Sequence, residues 1–316
     1  MTGSSDEDKS SSVIQRKVIK IVVDRTISSV ALLADGQHFV SGDKNGKIRR
    51  WRMEDGVEVG SPIDAGSAVC CLATSQDGKW IATGTEHGRV TVWDAESWTK
   101  LRRFAREKGA KSVDISSDGT KIAMAWDDKT VEVYSLPDGK GLCGRKDCDF
   151  HTVKFSPDGR LFAFGPESDE LSFLCIRDSQ DGHYISDIQI SVRSIAWTSD
   201  SKQLFALSSD GNIHCVDVSS GETLSKWSIH SQDGPTCISL SINDAFIAAS
   251  ANSSISFWDT STHEQIGFVI YHPHSVSSMA ISLNYELVFA GNSTIALWDL
   301  RNVLSLPYIN NQVSGS

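Results

Sequence analysis

The chain has 316 residues and a formal net charge of −10, with 40% apolar and 22% charged residues. That is enough material for one large globular domain or two ordinary ones, and no apolar run approaches the ~20 residues of a membrane span. The negative charge repels a phosphate backbone, so neither nucleic acid nor a membrane is expected as partner.

Residues 1–12, MTGSSDEDKSSS, are acidic and serine-rich, which predicts a disordered tail. Ser4 and Ser5 precede acids, as substrates of acidophilic kinases do, although a merely solvated tail is the preferred reading. Such a start is the opposite of a secretory signal, and the seven cysteines are odd in number. Reduced thiols inside a cell follow, with a cytoplasmic location expected and the nucleus left open.

The run VIKIVV, residues 18–23, predicts a strong apolar strand. After it, short strands recur whose last residues are Trp51, Trp93, Tyr134, Cys175, Val216, Trp258 and Trp298, spaced by 42, 41, 41, 41, 42 and 40. Ahead of four of them runs an Asp-Gly turn, in ADGQHFVSG, QDGKWIATG, SDGTKIAMA and PDGRLFAFG. The later copies keep a polar turn only, as SDSKQLFAL, INDAFIAAS and LNYELVFAG. Each unit reads strand, turn, strand, short polar turn, strand, loop, strand, with period-two alternation and turn residues that supply unusual backbone angles. Units of four strands at this period are blades of a β-propeller. The predicted fold is all-β: one seven-bladed β-propeller with four-stranded antiparallel blades, spanning residues 13–310, with 311–316 as a C-terminal tail.

Three segments along the way raise chemical questions. KLRRFAREKGAK, residues 100–111, carries Lys100, Arg102, Arg103, Arg106, Lys108 and Lys111 against Glu107 alone. It could hold an acidic or phosphorylated partner segment, or it is an ordinary solvated strand and loop. CGRKDCDFH offers Cys143, Cys148 and His151, one ligand short of a structural zinc site, so a blade connection is the preferred reading and no metal is expected. NSS at Asn252 and NST at Asn292 match the glycosylation sequon but fall in predicted turns of an intracellular chain. No phosphate-binding loop, H-E-x-x-H or G-x-S-x-G occurs, and most acids sit in turns whose local backbone bonding explains them. No cofactor is expected.

Trp93-Asp94, Trp258-Asp259 and Trp298-Asp299 end their strands in a way that resembles the WD-repeat family, as does FSPDGRLFAFG. The resemblance covers residues 18–300. It departs from the family pattern in lacking any Gly-His before a blade, with His230 and His272 near that place. No blade assembles the family's whole Asp-His-Ser-Trp network, so apolar packing is expected to hold the blades together. In the family an early strand often completes the last blade, and VIKIVV is expected to do so. The rival fastener is LSLPYI, residues 304–309, whose Pro307 fits only an edge strand.

The resemblance also implies docking on the face whose loops lead into each inner strand. Its contact positions in blades three to five are Lys111, Asp127, Asp149, His151 and Arg193, whereas blades six and seven present small residues such as Thr236 and Ser277. Trp126 stands where other blades carry Asp43, Thr85, Glu167 and Ser208, a polar set that argues for exposure. Trp126 beside charges is therefore expected to anchor a partner, with Arg106 and Lys108 contributing. The alternative is that it folds back over the neighbouring blade. The function expected is a non-catalytic protein-interaction scaffold or adaptor, a monomeric module within a complex. Two rivals stay open: a lactonase-like enzyme with its site in the central channel, and the sensor propeller of a larger signalling NTPase.

Overall fold

The computed structural model describes residues 18–146, 150–166, 173–229 and 234–309. Within them the period-two runs become strands, ordered into seven antiparallel sheets of four. Blade one comprises Ile27–Leu32, His38–Asp43, Lys47–Arg52 and Ile63–Asp64 from the axis outward. The inner strands of blades two to seven start at Val69, Ala110, Phe150, Ser194, Pro235 and Ser278. This is the seven-bladed propeller that the repeat predicts.

The turns explain why the repeat is so regular. Asp35, Asp77, Asp118 and Asp158 each accept a backbone N–H two residues on, at 2.8–3.1 Å, while Gly36, Gly78, Gly119 and Gly159 take positive φ. In the later blades Ser201, Asp244 and Tyr285 adopt the same left-handed conformation without glycine. Because neighbouring strands run antiparallel, these first turns and the turns into the outer strands share one side, here the turn face. The second turns and the connections into each inner strand share the other, the loop face.

The interior is divided among the blades. Seven separate apolar clusters each straddle one junction between neighbouring blades. Alternate residues of a second strand feed opposite junctions: Ile122, Met124 and Trp126 pack toward blade two, and Ala123 and Ala125 toward blade four. Where a second strand carries glycine, its neighbour comes close: a Cβ on Gly42 would lie 2.4 Å from Val69.

Packing is not the only bond between blades. Serine hydroxyls accept the backbone N–H of the adjacent inner strand: Ser278 from Val30 (3.1 Å), Ser29 from Leu72, Ser112 from Val153 and Ser194 from Ile238 (each 3.2 Å). Fragments of the family network also persist, with Trp51 Nε1 donating to Ser41 (2.8 Å) and Trp93 Nε1 to Thr83 (3.0 Å). The expectation that apolar packing dominates therefore needs this addition, which reading blade by blade could not reveal.

The ring closes with the N-terminal strand. Val18–Val22 pairs antiparallel with Thr294–Asp299 as the outer strand of blade seven, from Val18 opposite Trp298 to Val22 opposite Thr294. Ile19 and Ile21 pack on the junction of blades seven and one, and a Cβ on Gly56 of blade one would lie 2.7 Å from Ile19. Val18 and Val22 face outward, at 42% and 71% exposure. The rival LSLPYI instead follows the 3-10 turn Leu300–Asn302 and ends in the short helix Leu306–Ile309. Its Tyr308 donates to Asp259 Oδ2 at 2.8 Å, fastening the chain to blade six. Burial would raise the Asp259 carboxyl, yet bonds from Ser261, Thr262 and Tyr308 hold it well below the ordinary range. Residues 1–12 and 311–316 lie outside the described residues.

Candidate functional site

Five inner strands carry a β-bulge at one repeated place. The ladder skips Ser28, Cys70, Lys111, His151 and Thr236, so that two residues face one on the second strand. A bulge re-aims its extra side chain, and these are residues that the family resemblance assigns to the docking face. In blades one to three the residue before the second turn hooks back onto the incoming connection. Lys44, Glu86 and Asp127 donate their N–H to the carbonyls of Thr26, Ala68 and Gly109, each at 2.9 Å. In blade five the Ser191 and Ser209 hydroxyls meet at 2.6 Å. In these blades the structure brings the residue before the second turn against the connection into the inner strand.

Their charges interleave. Lys111 Nζ lies 3.2 Å from Asp127 Oδ1, bridging the bulge to the turn of its own blade. Burial raises the half-buried Cys70 thiol; Lys44 works against that, while Glu86 and Asp127 add to it. His151 and Arg193 are half-buried, and Arg193 is anchored by its N–H on Leu207 O at 2.8 Å. Asp149 lies outside the described residues.

Trp126 is not on this surface. It is 1% exposed, pairs across the sheet with Ala110 and Thr130, and belongs to the junction of blades two and three. The expectation of exposure fails for a specific reason: Asp43, Thr85 and Ser208 at the same place are buried too, satisfied by their own turns, while Glu167 lies outside the described residues. Asp43, 0% exposed, accepts the N–H groups of Asn45 and Lys47 at 2.9 Å. Thr85 bonds Arg89, and Ser208 bonds Asp210 and Asn212. In blade three Asp128 and Thr130 close the turn themselves, freeing the preceding place for a large apolar ring. The Trp126 Nε1–H finds no acceptor among the described residues.

The basic segment is largely consumed by the neighbouring blade. Arg102 donates to Pro137 O at 2.8 and 3.2 Å, and Arg106 pairs with Asp128 and Glu132. Lys100 sits over the Trp93 ring. Arg103 and Lys108 are exposed. The segment staples blade two to blade three more than it displays charge.

Cys143 lies in the outer strand of blade three against Gly182, its thiol pushed up to about 11 by burial and by Asp178 and Asp181. His151 sits on the bulge of blade four, and Cys148 lies outside the described residues. No three His, Cys, Asp or Glu side chains converge as metal ligands among the described residues. Along the axis, Asp114 of blade three accepts the Phe155 N–H (2.8 Å) and pairs with Lys154 (2.9 Å) of blade four, a structural use of both charges. No helix among the described residues is long and apolar enough to cross a membrane.

One buried histidine on the loop face has a measurable consequence. His272, 6% exposed, sets Nδ1 2.8 Å from His274 O and its ring edge-on to Phe289, while Nε2 lacks a partner among the described residues. Burial lowers its pKa, as it does for His214. The unfolded chain then takes up protons first, so stability is complete above about pH 6.5 and falls as pH drops below it. Denaturant melts between pH 7.5 and 5 should show that loss, and His272→Gln should flatten the slope. An unchanged slope would remove His272 from the account.

The repeats have counterparts among known proteins. A family model described as "WD domain, G-beta repeat" matches residues 19–52 and 60–94. One described as "Anaphase-promoting complex subunit 4 WD40 domain" matches residues 184–243. Telomerase protein component 1 of Mus musculus is 25% identical over 239 residues, covering 74% of this chain. The chain spans 9% of that relative's length.

Proposed function

Since the chain is a WD-repeat seven-bladed propeller, we propose that it is a non-catalytic scaffold that binds a protein partner on the loop face of blades two to five. The observation that supports this most is the row of bulges, which turns Cys70, Lys111 and His151 out of the ladder. Glu86, Asp127 and Arg193 surround that row, giving mixed charge suited to selecting a partner more than to catalysis. Six described cysteines carry free thiols, in keeping with work inside the cell. With Trp126 in the core, the anchors pass to Lys111, His151 and Arg193. A partner segment that is acidic or phosphorylated would suit Arg193, whose planar fork matches carboxylate or phosphate. The greater length of the mouse relative favours a second reading, in which this propeller is the partner-sensing part of a longer protein.

Proximity labelling in cells tests the site. Lys111→Glu and Arg193→Glu should each remove proteins that the wild-type chain labels, and Thr236→Ala should remove none. If both charge reversals keep the wild-type set, the loop face of these blades is not where partners dock.

A further inference from the structure

The axis opens on the turn face into a funnel of about 620 Å³ to which all seven blades contribute. Its walls are chiefly apolar, with Leu32, Leu72, Phe155, Leu240, Met279 and Ile281 facing it. Its charged pair, Lys154 and Asp114, is mutually satisfied at 2.9 Å. At the mouth, blades two, three and five place Gln76, Ser117 and Ser199 at the second position of the first turn. Blades six and seven place Ile242 and Leu283 there, 48% and 57% exposed. Neither side chain is needed by its turn, whose bonds are made by the flanking Ser241 and Asn243, or Ser282 and Tyr285. Two large apolar groups side by side at the rim of an apolar funnel leave surface that water covers poorly.

Charge identifies what would cover it. The same first turns carry Asp35, Asp77, Asp118, Asp158 and Asp200, four of them exposed and Asp77 paired with Lys79 at 2.9 Å with its side chain 19% exposed, and Asp244 half-buried. Backbone bonds from the turns fix the first five, so their carboxylates stand in a preformed ring. Lys79, Lys121, Arg160 and Lys202 follow the same turns, with Lys79 paired to Asp77, and offset only part of this charge. The outer turns add Glu96, Asp181, Glu222 and Glu264, also exposed. An acidic annulus around an apolar well repels nucleic acid, anionic lipid and the same face of a second copy. It attracts a Lys- or Arg-rich segment and rewards one that brings an apolar side chain.

We infer that the turn face is a second docking surface, which binds a cationic protein segment by seating one bulky apolar side chain in the funnel between Ile242 and Leu283. Lys or Arg residues on either side of that anchor reach the aspartate ring. This surface is separate from the loop face, so the two could hold different partners at once.

Fluorescence anisotropy on the full chain tests it, using a dye-labelled Lys/Ser peptide with two central leucines as the probe. A Lys/Ser peptide without leucine and a Glu/Ser peptide with leucine are the comparisons. The leucine-bearing cationic peptide should bind best. Ile242→Ser combined with Leu283→Ser should weaken it about tenfold, which is 1.4 kcal/mol. Asp118→Asn with Asp158→Asn, which keeps the turn geometry, should weaken it at low salt and much less at high salt. Arg193→Glu on the loop face should change nothing, so failure here would leave the loop-face reading standing. Equal binding of the leucine-free peptide would reduce the surface to bare charge attraction and overturn the inference. So would indifference to the Ile242 and Leu283 changes, or sedimentation showing that these changes break up a dimer, since a second copy would then be the occupant.

Discussion

Trp126→Ala should cost about 3–5 kcal/mol of stability, the range of a large aromatic side chain truncated in a packed core. The ring is 1% exposed and lies among Val90, Val92, Ala110 and Met124, so truncation opens a void that two blades share. Trp126→Phe should cost much less, about 1–2 kcal/mol, because most of the packing survives and the Nε1–H has no acceptor among the described residues to lose. Denaturant melts of the two variants decide the matter. A loss below about 1 kcal/mol for the alanine variant would put Trp126 on the surface after all. Partner capture by whatever remains folded should not change, since the ring contributes nothing to the loop face.

Removing residues 1–23 should abolish stable folding or cost roughly 3–6 kcal/mol, from two partly buried isoleucines, Val23 and a lost strand pairing. The deletion strips five registered pairs from Thr294–Asp299 and opens the apolar junction of blades seven and one. Removing residues 1–12 should leave the melt unchanged, because that segment offers no apolar side chain except Met1. A 1–23 deletion that melts like the full chain would mean that the ring holds without its outer strand. The double change Ile19→Ser, Ile21→Ser isolates the packing share. Val18→Ser and Val22→Ser, at outward positions, should be nearly silent.

The architecture was legible because a four-stranded blade consumes a nearly fixed number of residues, so the spacing of Trp51, Trp93 and their counterparts reports it directly. The fastener was legible because VIKIVV can pair along its length whereas Pro307 cannot. The site was legible only as a set of positions. That Lys111 and His151 occupy bulges depends on a register between strands that no single strand displays. Trp126 was misread because a polar residue at an equivalent place signals exposure only when water is its partner; Asp43 and Ser208 are buried with their turns as partners. The basic segment was ambiguous because the acceptors of Arg106, Asp128 and Glu132, lie on the next blade and are contiguous only in the folded ring. Ile242 and Leu283 passed as ordinary turn residues, since a funnel mouth exists only once seven blades surround it.

The antiparallel pairing of Val18–Val22 with Thr294–Asp299 also governs the order in which the molecule can assemble. During synthesis the strand Val18–Val22 must wait, unpaired and apolar, until Thr294–Asp299 has been made. Blades one to six can form from local hairpins as they emerge, but the pairing that closes the ring spans all seven blades and carries the largest loop-closure entropy in the fold. Until it forms, the growing chain is an open arc with an exposed edge at each end, the kind of species that pairs with its neighbours. Completion of the ring should therefore be the slow step, and a cell making this protein has its greatest need of a chaperone in the interval before the last blade is released.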